Sequence, residues 1–236
     1  RAAIASRYPK ASLCGTVETH VGPISFEAVR TTAEAPVIAR ILAATEQYEC
    51  GAGIIELSAH ALSLHRVDGI VFDVAAFTNL QHDHLDYYGD MENYFQAKAL
   101  LFTPEHSRRG VVCVDDEWGR RLAQQATVPV TTVSALTEED ADWQVRNVTP
   151  NQTIGRTVFT LVDPSGTGHR VAMPILGEVN IQNTAVAIVS AVSLGIDLAD
   201  VISSIEDAPQ IPGRMEKVNP TPGGQPLVIV DYAHTP

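Results

Sequence analysis

The residues best suited to chemistry are concentrated in one stretch, Thr78 to Phe102, with the sequence T-N-L-Q-H-D-H-L-D-Y-Y-G-D-M-E-N-Y-F-Q-A-K-A-L-L-F. Its second half has apolar residues at helical spacing, and Lys98 falls on the same stripe as Tyr94 and Phe95. Burial disfavours an ammonium ion, so a lysine facing a core is predicted to have a lowered pKa and a reactive neutral amine. A lysine at the stripe edge with its charge in solvent is an equally weighted alternative.

Polar residues also follow three apolar runs that we predict to be strands. They are Glu56 and Ser58 after the first run, Asn79 and His84 after the second, and Asp231 and His234 after the last. Ligands bind at the carboxyl ends of strands in an open α/β sheet. Glu56 and His84 are reasonable ligands for Mg²⁺ or Mn²⁺. From the residues alone, a hydrogen-bonded structural role is the more common use of a strand-end glutamate.

Ser58 and His60 lie close enough in sequence to suggest a Ser-His nucleophile. The chain contains no G-x-S-x-G motif, so we do not predict a hydrolase. The histidines at 65, 82 and 106 are expected to be surface residues.

An alternation of strands and helices must position these residues. Predicted strands cover 11–17, 24–29, 53–58, 70–79, 110–114 and 128–133, and predicted helices cover 33–49, 91–102 and 116–125, with Thr32 as the first helix cap. Short continuous apolar runs are typical of parallel strands covered on both faces. The pattern therefore predicts an α/β fold with a mostly parallel, doubly wound sheet.

The pattern changes after residue 136. Residues 143–175 alternate between apolar and polar side chains around the turn D-P-S-G-T-G, which predicts a small antiparallel subsheet at the domain edge. Helices follow at 178–194 and 197–206, and an apolar strand precedes the end of the sequence.

Composition excludes several classes of protein. A net charge of −12 argues against a nucleic-acid partner, although bound metal and local arginines leave an anionic small substrate possible. Cys14, Cys50 and Cys113 are odd in number and far apart, which predicts reduced core thiols. No apolar run approaches the roughly 18–20 residues of a membrane span. We expect a cytoplasmic monomer with no membrane partner.

Several long motifs resemble the Mur ligases. They are F-T-N-L-Q-H-D-H-L-D-Y-Y-G with M-E-N-Y-F-Q-A-K-A-L-L-F, E-L-S-A-H-A-L-S-L-H-R-V-D-G, N-I-Q-N, P-G-R-M-E and V-D-Y-A-H-T-P. They cover nearly the whole chain in the family's order, and they are most similar to the MurE branch, the UDP-N-acetylmuramoyl-tripeptide synthetases. The resemblance implies the central ATPase domain, of P-loop type, at residues 1–212 and the start of a C-terminal domain at 213–236.

The resemblance also implies an activity and a set of site residues. The activity is ATP-dependent addition of a diamino acid to UDP-MurNAc-L-Ala-D-Glu, through an acyl phosphate, in peptidoglycan synthesis. The metal ligands for Mg²⁺ are Glu56, His84 and Lys98 as a carbamate. The UDP-muropeptide is bound by Thr31, Thr32, Ser58 and Arg66, and ATP is bound by Asn183, Arg214 and Asp231.

Four departures from the family pattern stand out. Ala33 replaces a proline, Ala59 replaces a serine, and Leu64 replaces a glutamine that often precedes the substrate-binding arginine. The phosphate-binding motif G-x-x-x-x-G-K-[ST] does not occur. We expect the chain to be a fragment that is inactive by itself.

Two other functions are compatible with the sequence. One is a non-catalytic homologue that uses the fold as a binding module, which the changes at Ala59 and Leu64 favour slightly. The other is a related ligase, such as a folylpolyglutamate synthetase. The sequence leaves open whether the diamino acid is meso-diaminopimelate or L-lysine.

Overall fold

The computed structural model describes residues 1–151, 156–218 and 228–231. Its strands are β1 Ser12–Cys14, β2 Glu18–Val21, β3 Ile24–Glu27, β4 Gly53–Ile55, β5 Ala75–Phe77, β6 Gly110–Cys113, β7 Val130–Ser134, β8 Trp143–Asn151, β9 Arg156–Val162, β10 Gly168–Met173, β11 Glu216–Lys217 and β12 Ile229–Val230. Its α-helices are α1 Ala35–Gln47, α2 Ala59–Ser63, α3 Leu85–Tyr88, α4 Met91–Ala99, α5 Glu117–Gln125, α6 Glu178–Ser193 and α7 Leu198–Glu206. Single turns of 3-10 helix cover Ala2–Ile4 and Leu100–Phe102.

The main sheet has six strands in the order β10-β9-β8-β7-β6-β5. Strands β5 to β8 pair in parallel, and β8, β9 and β10 pair antiparallel. The predicted α/β class with a mostly parallel sheet and an antiparallel edge is therefore confirmed. The predicted hairpin continues the main sheet, because β8 pairs with both β7 and β9.

Strand β6 explains why its sequence is continuously apolar. Val111 and Cys113 point into a core that includes residues of α6, while Val112 and Val114 point into the core shared with α4 and α5. All four side chains are buried. Helices therefore cover both faces of this strand, as predicted for a doubly wound sheet.

A second sheet has the order β3-β2-β1-β4, with β1 and β4 parallel. Helix α1 begins at Ala35, and Glu34 occupies its N-cap position, so the prediction that Thr32 caps this helix is wrong. The Thr32 hydroxyl instead bonds to backbone groups that follow β4. The proline at position 36 suits the first turn, since its fixed φ matches helix geometry and its missing N–H loses no helical bond.

The remaining predictions concern cysteines, membranes and the final strand. Cys14, Cys50 and Cys113 are buried free thiols, as predicted. Among the described helices, none combines the length and apolarity needed to cross a bilayer. Strand β12 pairs antiparallel with β11. His234 and the rest of the Y-A-H-T-P motif lie outside the described residues.

Candidate functional site

Thr32 links several predicted substrate residues at the carboxyl end of β4. Its hydroxyl donates to the Glu56 carbonyl at 2.8 Å and accepts from the Ser58 amide at 2.9 Å. Its own carbonyl accepts from Arg66 Nη1 at 3.0 Å, while Arg66 Nη2 lies 3.1 Å from Glu34 Oε1. These contacts fix the loop before α1 against the loop after β4. Predicted residues from two separate stretches, 31–32 and 56–66, are thereby brought together.

Ser58 is positioned by helix α2. It is the N-cap residue, and its Oγ accepts from the Ala61 amide at 3.2 Å. A serine in this role satisfies a helix N–H that otherwise lacks a partner. No hydrogen bond joins Ser58 to His60 in the described part of the chain.

The Glu56 carboxylate is held on one side only. Its Oε2 accepts from the Thr16 amide at 2.7 Å and from the Thr16 hydroxyl at 2.9 Å. The Thr16 hydroxyl also lies 3.2 Å from Thr31 Oγ1, which adds Thr31 to the group. A Cβ at position 15 would approach Glu56 Oε2 to 2.9 Å, so Gly15 permits this close contact. Glu56 Oε1 has no hydrogen-bond donor among the described residues and is available to a ligand.

His84 has an unusual backbone conformation. Its φ of 56° and ψ of 23° place it in the left-handed region, immediately before α3. Its amide donates to Asp83 Oδ1 at 2.7 Å. A non-glycine residue in this region costs conformational energy, and such residues cluster at functional sites. The imidazole makes edge contacts with the rings of His60 and Tyr94, at centroid distances of 5.0 and 5.6 Å.

Lys98 lies near the end of α4, a helix whose N-cap is Asp90. Its Nζ is 5.3 Å from the centre of the Tyr94 ring and makes no hydrogen bond or ion pair with any described residue. Burial lowers the pKa of Lys98, in the direction predicted from the sequence, and the charges of Asp83 and Glu56 partly oppose that shift. The negative charge of Glu56, in the loop after β4, thus acts on the Lys98 amine and favours its protonated form.

Glu56, His84 and Lys98 differ in the donor atoms that they offer to a divalent metal. In the described residues, no group of three His, Cys, Asp or Glu side chains is arranged to hold a metal ion. Glu56 and His84 thus need a third ligand from another residue type. A carbamate on Lys98 would add oxygen donors, which Mg²⁺ prefers, to the free oxygen of Glu56. The chemistry of this donor set fits Mg²⁺.

Sequence reasoning missed an aromatic cluster beside these residues. The His60 ring lies 4.3 Å from Tyr87 and 5.3 Å from Tyr88, and Tyr88 stacks on Tyr94 at 5.2 Å. Burial is the largest cause of a lowered pKa for His60, with a further contribution from His84. Burial also raises the pKa of Tyr94 to about 12. The signal in the sequence was the number of aromatic residues around His84.

A second network was also missed, at the carboxyl ends of β6 and β7. Asn79 Nδ2 donates to Gln182 Oε1 at 3.1 Å, and Gln182 Nε2 donates to Asp115 Oδ2 at 3.1 Å. Burial by itself raises the pKa of Asp115, but hydrogen bonds from Cys113, Gln182 and the loop after β7 outweigh it and lower the pKa. The position of Asp115 after a buried strand was the available signal.

The predicted nucleotide-binding residues form a separate group. Asn183 is exposed on α6, and the Asp231 carboxylate accepts from the Met215 amide at 3.1 Å, next to Arg214. A Cβ on Gly177, the residue before α6, would lie 3.6 Å from Met215 Cγ. Arg214 and Asp231 therefore lie close to the N-terminal end of the helix that carries Asn183. No hydrogen bond connects them to Glu56 in the described part of the chain.

Comparisons with known proteins agree with this arrangement of motifs. A family model described as Mur ligase middle domain matches residues 2–191. A UDP-N-acetylmuramyl-tripeptide synthetase from Leifsonia xyli subsp. xyli is 46% identical over 231 residues, which are 96% of this chain and 44% of that relative. A UDP-N-acetylmuramoyl-L-alanyl-D-glutamate–2,6-diaminopimelate ligase from Streptomyces coelicolor is 44% identical over 223 residues, covering 94% of this chain and 43% of that relative.

Solved structures give the same result. A UDP-N-acetylmuramoyl-L-alanyl-D-glutamate–2,6-diaminopimelate ligase superposes with a TM-score of 0.79 at 27% identity, covering 99% of this chain and 47% of that one. MurF from Acinetobacter baumannii shares the fold, with a TM-score of 0.71 at 19% identity, over 97% of this chain and 46% of that one. The chain spans less than half the length of these relatives. It belongs to the Mur ligase family.

Proposed function

We propose that the whole protein is an ATP-dependent amide ligase that adds a diamino acid to UDP-MurNAc-L-Ala-D-Glu in cytoplasmic peptidoglycan synthesis. The observation that carries this proposal is geometric: Lys98 Nζ and the His84 imidazole, two of the proposed metal ligands, both lie against the Tyr94 ring, 5.3 and 5.6 Å from its centre. The printed functions of the two curated relatives support the substrate class.

The reaction requires two transfers. The D-Glu carboxylate attacks the γ-phosphorus of ATP to give an acyl phosphate and ADP. The amine of the diamino acid then attacks the acyl carbon, loses a proton, and expels inorganic phosphate from a tetrahedral intermediate. Such chemistry depends mainly on positioning and on neutralising phosphoryl charge, with little covalent help from the protein.

The loops around Thr32 are proposed to hold the UDP-muropeptide. Thr31, Thr32, Ser58 and Arg66 are the binding residues. Arg66 supports this role because its Nη atoms are engaged while its buried Nε has no hydrogen-bond partner among the described residues. A buried donor without a partner is costly unless a ligand satisfies it, and a guanidinium favours an anion.

Glu56, His84 and Lys98 are proposed to hold Mg²⁺, which when bound supplies neutralisation of the phosphoryl charge. Lys98 enters as a carbamate: its neutral amine forms an N–C bond to CO₂ and releases one proton. Burial supports this step because it disfavours the ammonium form of Lys98. Thr16 orients Glu56 through two hydrogen bonds to one carboxylate oxygen.

The nucleotide is proposed to lie at the other group of residues. Asn183 contacts the adenine, and Arg214 and Asp231 contact the phosphates and ribose of ATP. We further propose that residues 1–212 form the body of the central domain, that 213–236 begin the next domain, and that the protein acts as a monomer. The packing of Met215 near the residue that precedes α6 supports a common nucleotide site.

The test is a ligation assay with the full-length protein. ATP, Mg²⁺ and UDP-MurNAc-L-Ala-D-Glu are supplied with either meso-diaminopimelate or L-lysine, and the amide product and ADP are quantified. We expect one ADP per amide formed and a strong preference for one diamino acid. A folate substrate serves as the control for the related ligase activity. Absence of amide product with both diamino acids would refute the proposal.

A further inference from the structure

A single aromatic ring contacts two of the three proposed metal ligands. The Tyr94 ring centre is 5.3 Å from Lys98 Nζ and 5.6 Å from the centre of the His84 imidazole, which meets it edge-on at 88°. His84 belongs to the loop before α3, whereas Lys98 belongs to α4. The ring is therefore the shared surface between two ligands from different elements.

The Tyr94 ring is itself fixed from a third element. Tyr88 stacks on it with a centroid distance of 5.2 Å and an angle of 24°. The Tyr88 hydroxyl lies 3.2 Å from Ser63 Oγ, at the end of α2. Helices α2, α3 and α4 are connected in this way, and Tyr94 is 7% exposed at their junction.

We propose that Tyr94 is a positioning residue, whose ring fixes the separation of Lys98 and His84 so that both can bind one metal ion. This inference rests on the proposed function, because it takes Lys98 and His84 as ligands. The Tyr94 hydroxyl has no hydrogen-bond partner among the described residues, so the ring rather than the hydroxyl carries the effect.

The physical basis is the flexibility of lysine. A lysine side chain has many rotamers, and a ligand that must be ordered on binding weakens the metal site. The Tyr94 ring, packed against the Lys98 amine, restricts the Lys98 rotamers before a metal ion binds. Residues that orient metal ligands typically affect affinity or activity by about 10- to 100-fold.

Phe95 offers a matched control on the same helix. It is adjacent in sequence and fully buried, and its ring packs on Trp118 at 5.2 Å and on the Arg121 guanidinium at 4.6 Å, both on α5. No ring contact joins Phe95 to His84 or Lys98 within the described residues. Loss of the Phe95 ring therefore perturbs core packing without removing the proposed positioning contact.

The experiment measures Mn²⁺ affinity by electron paramagnetic resonance, in the full-length protein with saturating bicarbonate. The variants are Tyr94→Phe, Tyr94→Leu and Phe95→Leu, each checked by circular dichroism and thermal unfolding. A ¹³C-bicarbonate NMR spectrum reports the Lys98 carbamate in the same samples. We expect Tyr94→Leu to weaken Mn²⁺ binding about 10- to 100-fold, and Tyr94→Phe to behave as wild type.

The outcomes separate this inference from the proposed function. Wild-type Mn²⁺ affinity in Tyr94→Leu, or an equal loss in Phe95→Leu, would overturn the positioning role. A loss in Tyr94→Phe equal to that in Tyr94→Leu would also overturn it, because the hydroxyl would then be responsible. A wild-type protein that binds Mn²⁺ without ligating refutes the proposed activity alone, whereas one that binds no Mn²⁺ refutes both.

Discussion

Glu56 and Asp115 are both carboxylates just beyond the end of a strand, and the fold surrounds them differently. Among the described residues, Asp115 accepts hydrogen bonds from seven donor groups: Cys113 Sγ, Ser134 Oγ, the amides of Ala135, Leu136 and Thr137, Thr137 Oγ1 and Gln182 Nε2. In the same part of the chain, the Glu56 carboxylate accepts from two donors, both on Thr16 and both at the same oxygen.

This difference separates a structural carboxylate from one that can bind a ligand. Seven donors satisfy both Asp115 oxygens and tie β6, the loop after β7 and α6 together. Glu56 Oε1 has no hydrogen-bond donor among the described residues, and the Glu56 charge opposes the lowering of the Lys98 pKa. The number of hydrogen-bond donors, rather than the position after a strand, distinguishes the two roles.

The strongest test of the Glu56 region is to remove Lys98. We expect Lys98→Ala in the full-length protein to reduce kcat of ligation by about 100-fold or more, since a group that stabilises transition-state charge is lost. Short carboxylic acids should restore part of the activity by replacing the carbamate. Lys98→Arg, which keeps a cation but cannot form a carbamate, should not be rescued. Full activity in Lys98→Ala would show that the proposed metal site is not needed for ligation. Glu56 would then be a structural carboxylate, like Asp115.

Exchange of each carboxylate for alanine tests the comparison directly. Asp115→Ala leaves several buried donors without a partner and should lower the free energy of unfolding by about 2–3 kcal/mol. Glu56→Ala should lower it by about 1 kcal/mol or less, because only Thr16 loses its acceptor. Urea unfolding measures both. Equal destabilisation by the two variants would contradict the distinction.

Replacing His84 should change the free energy of unfolding by less than Asp115→Ala does, and in the opposite direction. Because its φ is 56°, His84→Gly should raise the free energy of unfolding by about 0.5–1 kcal/mol while abolishing metal-dependent ligation. Asp86→Gly, at an exposed helical position in α3, is the control and should lower stability. Thermal unfolding and the ligation assay are the measurements. A stability loss in His84→Gly would show that His84 stabilises the fold.

The smallest expected effect is the pH dependence of the stability that Asp115 contributes. The folded-state pKa of Asp115 is lowered, so its stabilisation is fully present above the unfolded value of about 3.9 and is lost as pH falls through the folded pKa. The stability difference between wild type and Asp115→Asn should therefore shrink as pH falls below about 4. Urea titrations at several pH values measure this difference. A constant difference down to pH 3 would mean that Asp115 does not titrate differently on folding.

Local patterns predicted most elements correctly. The apolar run at β6, the helix around Lys98 and the helices predicted at 116–125 and 197–206 agree with the structure to within a few residues. The start of α1 was predicted wrongly, because Thr32 bonds to residues after β4 instead of capping the helix. Helix capping is a local contact. In Thr32 the hydroxyl is used for a tertiary contact, with the loop after β4, instead.

The position of Lys98 on an apolar helix face was determined by the sequence, since helical spacing alone places it beside Tyr94. The partners of each strand-end carboxylate were decided by tertiary structure. Asp115 receives donors from the loop after β7 and from Gln182, and Glu56 receives Thr16 from the neighbouring strand connection. The number of donors that reach a carboxylate depends on groups distant in the chain. A local sequence pattern cannot predict those groups. The fold therefore leaves Glu56, and not Asp115, free to bind a ligand.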